Sequence, residues 1–417
     1  MVKPIESDKS AGIGTEPTLA RSLSLPLLVL YGLGVTVGAG IYVLIGGTAE
    51  KAGYYAPISF VVAAIVVSFT GFSYAELSTR FPVSAGEAAY VKEGFRSPSF
   101  SLLVGLMVVV SGVVSSAAVT LGSAAYLHAY IPVSEDLLLA IVIVIVGLIA
   151  IWGILESVRF AALITLIEIG GLGLVVAYAF IVTPDLLNNA YLLIPPFEVV
   201  AWSGIFSAGL LAFFAFVGFE DIANIAEEVK QPKKTLPWGI LLTLILATTV
   251  YLIVVSVVIL MVPMSELLSS TTPLSLVFAS APPWIKGLFG LIAFFATING
   301  ALIQIIMASR VLYGLGKQGS LPSFITYISP RTRTPITASL IIIGLIVILA
   351  YTLPIVELAE MTSIVVLLVF TLVNLALIRI KLLDGAETAG EVFYVPLWVP
   401  ILGSVTSLGL LMAGFLI

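Results

Sequence analysis

The chain has 417 residues, of which 60% are apolar and only 10% charged, whereas a soluble globular domain is about one quarter charged. This excludes a soluble protein, and the complete lack of cysteine excludes a disulfide framework, a thiolate nucleophile and a sulfur-ligated metal. A net charge of −5, from 18 basic and 23 acidic side chains, leaves no basic footprint for nucleic acid.

A helix needs about 20 apolar residues to cross roughly 30 Å of hydrocarbon. Cutting the sequence at its charges leaves eleven such runs, at 22–49, 52–75, 97–127, 137–155, 160–183 (with Glu168 inside it), 199–219, 235–265, 287–309, 334–356, 361–378 and 392–417. The expected fold class is therefore an all-α integral membrane protein with eleven transmembrane helices. Residues 1–21 form a polar, cytoplasmic N-terminal segment, and the apolar run after them is too long and wrongly flanked for a cleaved signal peptide. With the N-terminus inside, 16 of the 18 basic residues fall in cytoplasmic loops and only Lys51 and Lys286 lie outside, as insertion favours. The C-terminus is then outside. Trp152, Trp202, Trp238, Trp284 and Trp398 all fall at predicted helix ends, at headgroup level. Loops are short, so function lies within the membrane. Met264 to Pro283 is an outer partial lid or a plain linker, and Glu87 to Phe95 an inner interfacial helix or a linker.

Helix 1 carries Gly32, Gly34, Gly38 and Gly40 where a plain spanning helix would use Leu and Ala. Helical order is weakest at Gly38 to Gly40; the alternative is that Gly34 and Gly38, four apart, let another helix approach closely. Helix 6 holds Phe213-Phe214-Ala215-Phe216-Val217-Gly218-Phe219-Glu220-Asp221, and two adjacent acids do not suit lipid. Gly38 and Phe216 each lie roughly 20 Å into their helices from opposite sides, hence both near the bilayer middle. Helices 1 to 5 are odd in number, so a second set starting at helix 6 runs inverted. Inverted repeats with interrupted first helices characterise secondary transporters, which bind substrate at the midplane. The expected organisation is a first repeat at 22–183 (helices 1 to 5), a second at 199–378 (helices 6 to 10) and an additional helix 11 at 392–417. Unwound backbone survives at that depth only where it lines a polar cavity.

Val37-Gly38-Ala39-Gly40-Ile41 in helix 1, Tyr74-Ala75-Glu76-Leu77-Ser78 with Phe81-Pro82 after helix 2, Phe214-Ala215-Phe216-Val217-Gly218-Phe219-Glu220 in helix 6, Pro232-Lys233-Lys234 after it, and Ala308-Ser309-Arg310 with Gly319-Ser320-Leu321-Pro322 after helix 8 resemble the amino acid/polyamine/organocation transporters. The resemblance covers helices 1 to 10; many members have twelve helices where eleven are found here. It implies a membrane permease that moves amino acids by alternating access. An amino acid zwitterion needs donors for its carboxylate and acceptors for its ammonium. By resemblance the amides of Gly38, Ala39 and Gly40 hold the carboxylate, the carbonyls of Thr36, Phe214 and Val217 take the ammonium, and the Phe214 ring covers the substrate as a gate. Many relatives have Ser where Ala39 stands, a change to which a backbone donor is indifferent.

Selectivity is assigned to side chains on helices 3, 6, 8 and 10, with Ser115, Ser116, Phe219, Asn299 and Thr362 as candidates. No carboxylate is clearly committed to a cationic substrate side chain, so a neutral amino acid comes first. Cationic amino acids or polyamines come second, through Glu220 or Asp221. Glu168 lies about 13 Å into helix 5, where an ionised carboxylate costs roughly 2.5 to 3.5 kcal/mol. Several proton-coupled relatives carry Lys at the matching position, within Leu166-Ile167-Glu168 here. Glu168 is thus expected to take up and release the coupled proton, the alternative being a protonated Glu that bonds two helices. Sodium coupling, through Thr297 and helix 1 carbonyls, and exchange stay open.

Glu76 with Arg80 reads as a structural ion pair, Glu220-Asp221 as a helix cap or a gate, and His128 as an interfacial residue. Gly314-Leu315-Gly316-Lys317-Gln318-Gly319 matches a dinucleotide fingerprint by letter but follows no strand. A single His and no Cys leave an intramembrane enzyme remote, and a channel is less expected than a carrier. No metal and no cofactor are expected; the partners are an amino acid, a proton or sodium, and the bilayer of the cell membrane.

Overall fold

The computed structural model describes residues 23–83, 86–152, 157–226, 229–317, 319–330, 332, 334–384 and 393–416. The N-terminal segment 1–21 and the side chains of Ala39, Trp152 and Arg159 lie outside the described residues. The described regular structure is helical, and the one extended contact there is an isolated bridge between Leu23 and Val229.

The helices are α1 (Leu25–Thr36), α2 (Ala39–Val43), α3 (Ile45–Ala52), α4 (Ala56–Arg80), α5 (Gly86–Phe95), α6 (Pro98–His128), α7 (Glu135–Trp152), α8 (Ser157–Val182), α9 (Val199–Phe214), α10 (Asp221–Asn224), α11 (Pro232–Met261), α12 (Met264–Ser269), α13 (Pro283–Lys317), α14 (Ile336–Thr352), α15 (Ile355–Asp384) and α16 (Trp398–Leu416). Proline opens α4, α6 and α11, where its missing N–H costs nothing. Gly53, at φ 57°, turns the chain from α3 into α4.

Seven stretches, within 25–43, 45–80, 98–128, 162–182, 232–261, 283–317 and 355–383, are long and apolar enough to cross a bilayer, and Val199–Phe214, Ile336–Thr352 and Trp398–Gly414 are shorter apolar helices. Burial is sorted for lipid. Leu148, Leu163, Ile181 and Ile245 face outward, whereas Thr70, Glu76, Ser116, Glu168 and Asn374 are fully buried. This is a multi-pass membrane protein. In its interior α6 packs on α13 and α15, α4 on α11, and α1 on α11 and α8.

Several helices outrun their predicted spans, among them α4, α13 and α15. The run 52–75 becomes α4, ending at Arg80, and 361–378 becomes α15, Ile355–Asp384. Cutting at charges ends a span too early where the charge is paired inside. Glu76 accepts from Arg80 Nη2 at 2.7 Å, from Lys381 Nζ at 2.7 Å and from the Val395 amide at 2.8 Å. The Glu76–Arg80 pair thus exists, but as part of a buried network joining α4, α15 and the segment before α16, with both cations at most 6% exposed. The segment 264–283 folds into α12 and a 3-10 helix at Pro273–Phe278. It sits on α3, the Leu267 carbonyl lying 3.0 Å from where a Gly46 Cβ would be.

Candidate functional site

The ladder of α1 runs through Gly32 and Gly34 and stops at Gly38. The Val37 amide still donates to Leu33 O at 2.7 Å, Gly38 leaves helical geometry at φ −47°, ψ −135°, and α2 restarts at Ala39. A milder second irregularity, at Leu44, separates α2 from α3. In predicted helix 6, α9 ends at Phe214 and the chain continues through tighter bonds: Ala215 to Ala212, Phe216 to Phe213 and Val217 to Phe214. Gly218 then takes φ 122°, open to glycine and strained for other residues. The Glu220 carboxylate reaches back to the Gly218 amide at 2.8 Å, and α10 starts at Asp221. The bond goes to an amide ahead of α10, to which Glu220 makes no side-chain cap bond, so it is not the expected helix cap.

The two interruptions touch. A Cβ on Gly40 would stand 2.6 Å from Ala215 Cα, and one on Gly218 would stand 2.4 Å from a Val35 methyl. Thr36, Gly40, Phe214 and Val217 line one internal cavity together with Val35, Ser115, Val119, Gly300 and Gln304. Gly38 and Ala39 are not among its lining residues; they stand at the start of α2, whose first amides have no acceptor within the helix. Of the five selectivity candidates, Ser115 faces this cavity. Ser116 Oγ donates to Ala301 O, Thr362 Oγ1 donates to Leu358 O, Phe219 packs edge-on between Tyr74 and Phe370, and the Asn299 amide lies against Gly34. Gln304 and Tyr251 were missing from the sequence reading. Gln304 is the one glutamine of α13 and Tyr251 the one tyrosine of α11, which was the available signal. Tyr251 Oη meets Thr36 O at 2.5 Å and Ala215 O at 2.6 Å.

Glu168 is fully buried on α8, and neither carboxylate oxygen has a hydrogen-bond partner among the described residues. Its main-chain carbonyl accepts from Tyr42 of α2 at 3.0 Å, and Thr165, one turn earlier, abuts Gly34 of α1. Glu168 thus stands beside the broken helix. The Thr297 hydroxyl donates to Ala293 O and Phe294 O of its own helix. His128 ends α6, with Nδ1 2.8 Å from Val133 O.

A second cavity adjoins the first, and Gln304 lines both. Its walls include Tyr74, Glu87, Ser111, Glu220 and Asp221, and the Gln304 amide donates to Asp221 Oδ2 at 3.3 Å. Burial pushes the Glu87 carboxyl up to about 7, against the opposing effect of its hydrogen bonds, including those from Asn224 and Tyr74. No group of three potential metal ligands occurs among the described residues.

Paired breaks around a polar cavity invite comparison with known permeases, and residues 23–417 match the family model described as amino acid permease. The chain belongs to the amino acid permease family. The permease is 28% identical over 396 residues to the branched-chain amino acid permease of Bacillus subtilis, an alignment that covers 90% of this chain and 84% of that one. It is 30% identical to the vacuolar cationic amino acid transporter 2 of Arabidopsis thaliana, over 93% of this chain and 64% of the plant protein. To the methylthioribose transporter of Bacillus subtilis it is 27% identical, over 80% of this chain and 75% of that protein. The permease thus spans less than two thirds of the plant relative's length. These relatives are permeases and transporters, not enzymes.

Proposed function

We propose that this permease is a secondary active transporter that carries neutral amino acids across the cell membrane by alternating access, coupled to protons. The observation that carries the reading is the meeting of two interrupted helices, Gly40 against Ala215, around a cavity lined by Thr36, Gly40, Phe214 and Val217. In this reading eleven spans form two inverted sets of five, at 22–183 and 199–378, plus a last helix at 392–417. The N-terminus is cytoplasmic and the C-terminus outside. The substrate carboxylate docks on the amides of Gly38, Ala39 and Gly40, where the dipole of the restarting helix favours an anion. Its ammonium takes the carbonyls of Thr36, Phe214 and Val217. Each carbonyl has two lone pairs, so the bonds from Val217 to Phe214 O and from Tyr251 to Thr36 O leave room for it. The Phe214 ring closes over the substrate.

A neutral side chain is favoured because the cavity lining contains no charged residue. The second reading, a cationic amino acid, draws on the chamber beyond Gln304, where Glu87, Glu220 and Asp221 line the wall. For coupling, Glu168 offers two unsatisfied oxygens beside the break. One proton moving with a zwitterion gains about 2.3 kcal/mol per 100 mV, enough for an approximately fifty-fold gradient. The test is uptake into proteoliposomes. An inward proton gradient is expected to drive accumulation of a neutral amino acid, and Glu168→Gln to abolish accumulation while leaving exchange. Uptake indifferent to both the gradient and the substitution removes the proton-coupled reading.

A further inference from the structure

Tyr251 stands on α11, outside both interrupted spans, and is fully buried. Its hydroxyl meets two main-chain oxygens: Thr36 O, at the end of α1, and Ala215 O, just past α9. Both belong to the last turns before the breaks, where carbonyls have no donor within their own helix. The ring is held in place edge-on against Phe216, centroids 5.0 Å apart, and against Phe60 at 5.8 Å. A buried phenol needs a partner, and here it has one from each break.

We propose that Tyr251 is a positioning residue for the substrate site: one hydroxyl, delivered from a third helix, holds the carbonyl ends of both interrupted spans to a common point so that they face the substrate ammonium together. The inference rests on the site assignment above. A phenol carries a single proton, so it donates to one carbonyl at a time and serves both by turning its O–H between them. Thr36 O keeps a lone pair for the ammonium, and holding Ala215 O in place fixes the main chain between the Phe214 and Val217 carbonyls. Without the hydroxyl the two segments lose this shared link, and part of the binding energy goes into ordering them.

The test uses the full-length protein in proteoliposomes, with thermal stabilisation by a panel of amino acids as the binding readout. Wild type that binds no amino acid sinks the site assignment and, with it, this inference. Where wild type binds, Tyr251→Phe keeps the ring and removes only the hydroxyl. It is expected to raise KM and Kd about tenfold, with the maximal rate per folded transporter within twofold of wild type. A purely structural role predicts the reverse split, with fewer folded molecules and an unchanged KM, and that result overturns the inference. Phe60→Leu, which strips packing from the ring but leaves the hydroxyl, guards against a misfolded Tyr251→Phe. It is expected to lower the melting temperature and keep KM within twofold. A tenfold rise in KM for Phe60→Leu also overturns the inference.

Discussion

Gly40→Ala tests whether the two breaks must touch. The added methyl would lie 2.6 Å from Ala215 Cα, 2.9 Å from its Cβ and 3.2 Å from its N. Carbon atoms prefer roughly 3.5 to 4 Å, so the spans must part by about 1 Å, and the obstacle is main chain rather than a side chain able to swing away. Overpacking of this kind costs about 1 to 3 kcal/mol. If that cost falls on the geometry that binds substrate, affinity drops by about 5 to 150-fold, at 1.4 kcal/mol per tenfold. Two other glycines calibrate the result. At Gly105 the clash is with the end of the Leu315 side chain, at 2.8 Å, which can move, and at Gly344 nothing lies within 4 Å. The expected order of lost affinity is Gly40→Ala well above Gly105→Ala, with Gly344→Ala unchanged, measured as the amino acid concentration that half-saturates thermal stabilisation. Gly40→Ala within twofold of wild type would refute the idea that close contact of the breaks builds the site.

Glu76→Gln leaves Arg80 and Lys381 buried without their shared carboxylate and is expected to cost about 3 to 5 kcal/mol; denaturant unfolding in detergent reads it, and a loss below about 1 kcal/mol contradicts the network. Glu87 holds its proton more tightly when folded, at about 7 against an ordinary 4.5, so its stabilising contribution is full below about pH 4.5 and is lost as the pH climbs through about 7. That is about 3 kcal/mol at 1.36 kcal/mol per pH unit, and Glu87→Gln should flatten this part of the melting profile between about pH 4.5 and pH 7. Gly300 lines the cavity, with only a Val119 methyl near a new Cβ, at 3.7 Å. Gly300→Ala should therefore fold normally and shift preference toward smaller amino acids by about 10-fold or more, which competition for uptake across a series of side-chain sizes measures.

Much of the architecture was legible because lipid imposes a simple rule: an apolar run long enough to span, ended by charges sorted to one side. The rule misplaced boundaries where a charge is satisfied inside the protein. Glu76 looks like the end of a span but lies, fully buried, within α4. Both breaks were legible for the opposite reason, since Gly38 and Gly40 in one span and Gly218-Phe219-Glu220-Asp221 in the other are residues a lipid-facing helix would not keep. The irregularity at Leu44 carried no such mark, because Leu is an ordinary helix residue and the neighbouring packing decides its conformation.

The selectivity residues were harder to read because sequence separation hides the contact. Asn299 and Thr362 sit at polar positions in spans that neighbour the site, yet one lies against Gly34 and the other bonds back into its own helix. Tyr251 is a single tyrosine in an apolar run, and its partner Thr36 is 215 residues away. Periodicity reports which face of a helix avoids lipid; it cannot report which main-chain oxygen a hydroxyl will find. That distinction follows from how the site is made. In the proposed site the groups that grip the common part of every amino acid are main-chain atoms, so Ala in place of Ser at position 39 is expected to cost nothing, and their positions are announced by glycines. Groups that hold those main-chain atoms in place, or that face the variable side chain, are ordinary side chains such as Tyr251, Ser115, Val119 and Gln304. Substrate preference should therefore change through these residues while the two breaks stay as they are.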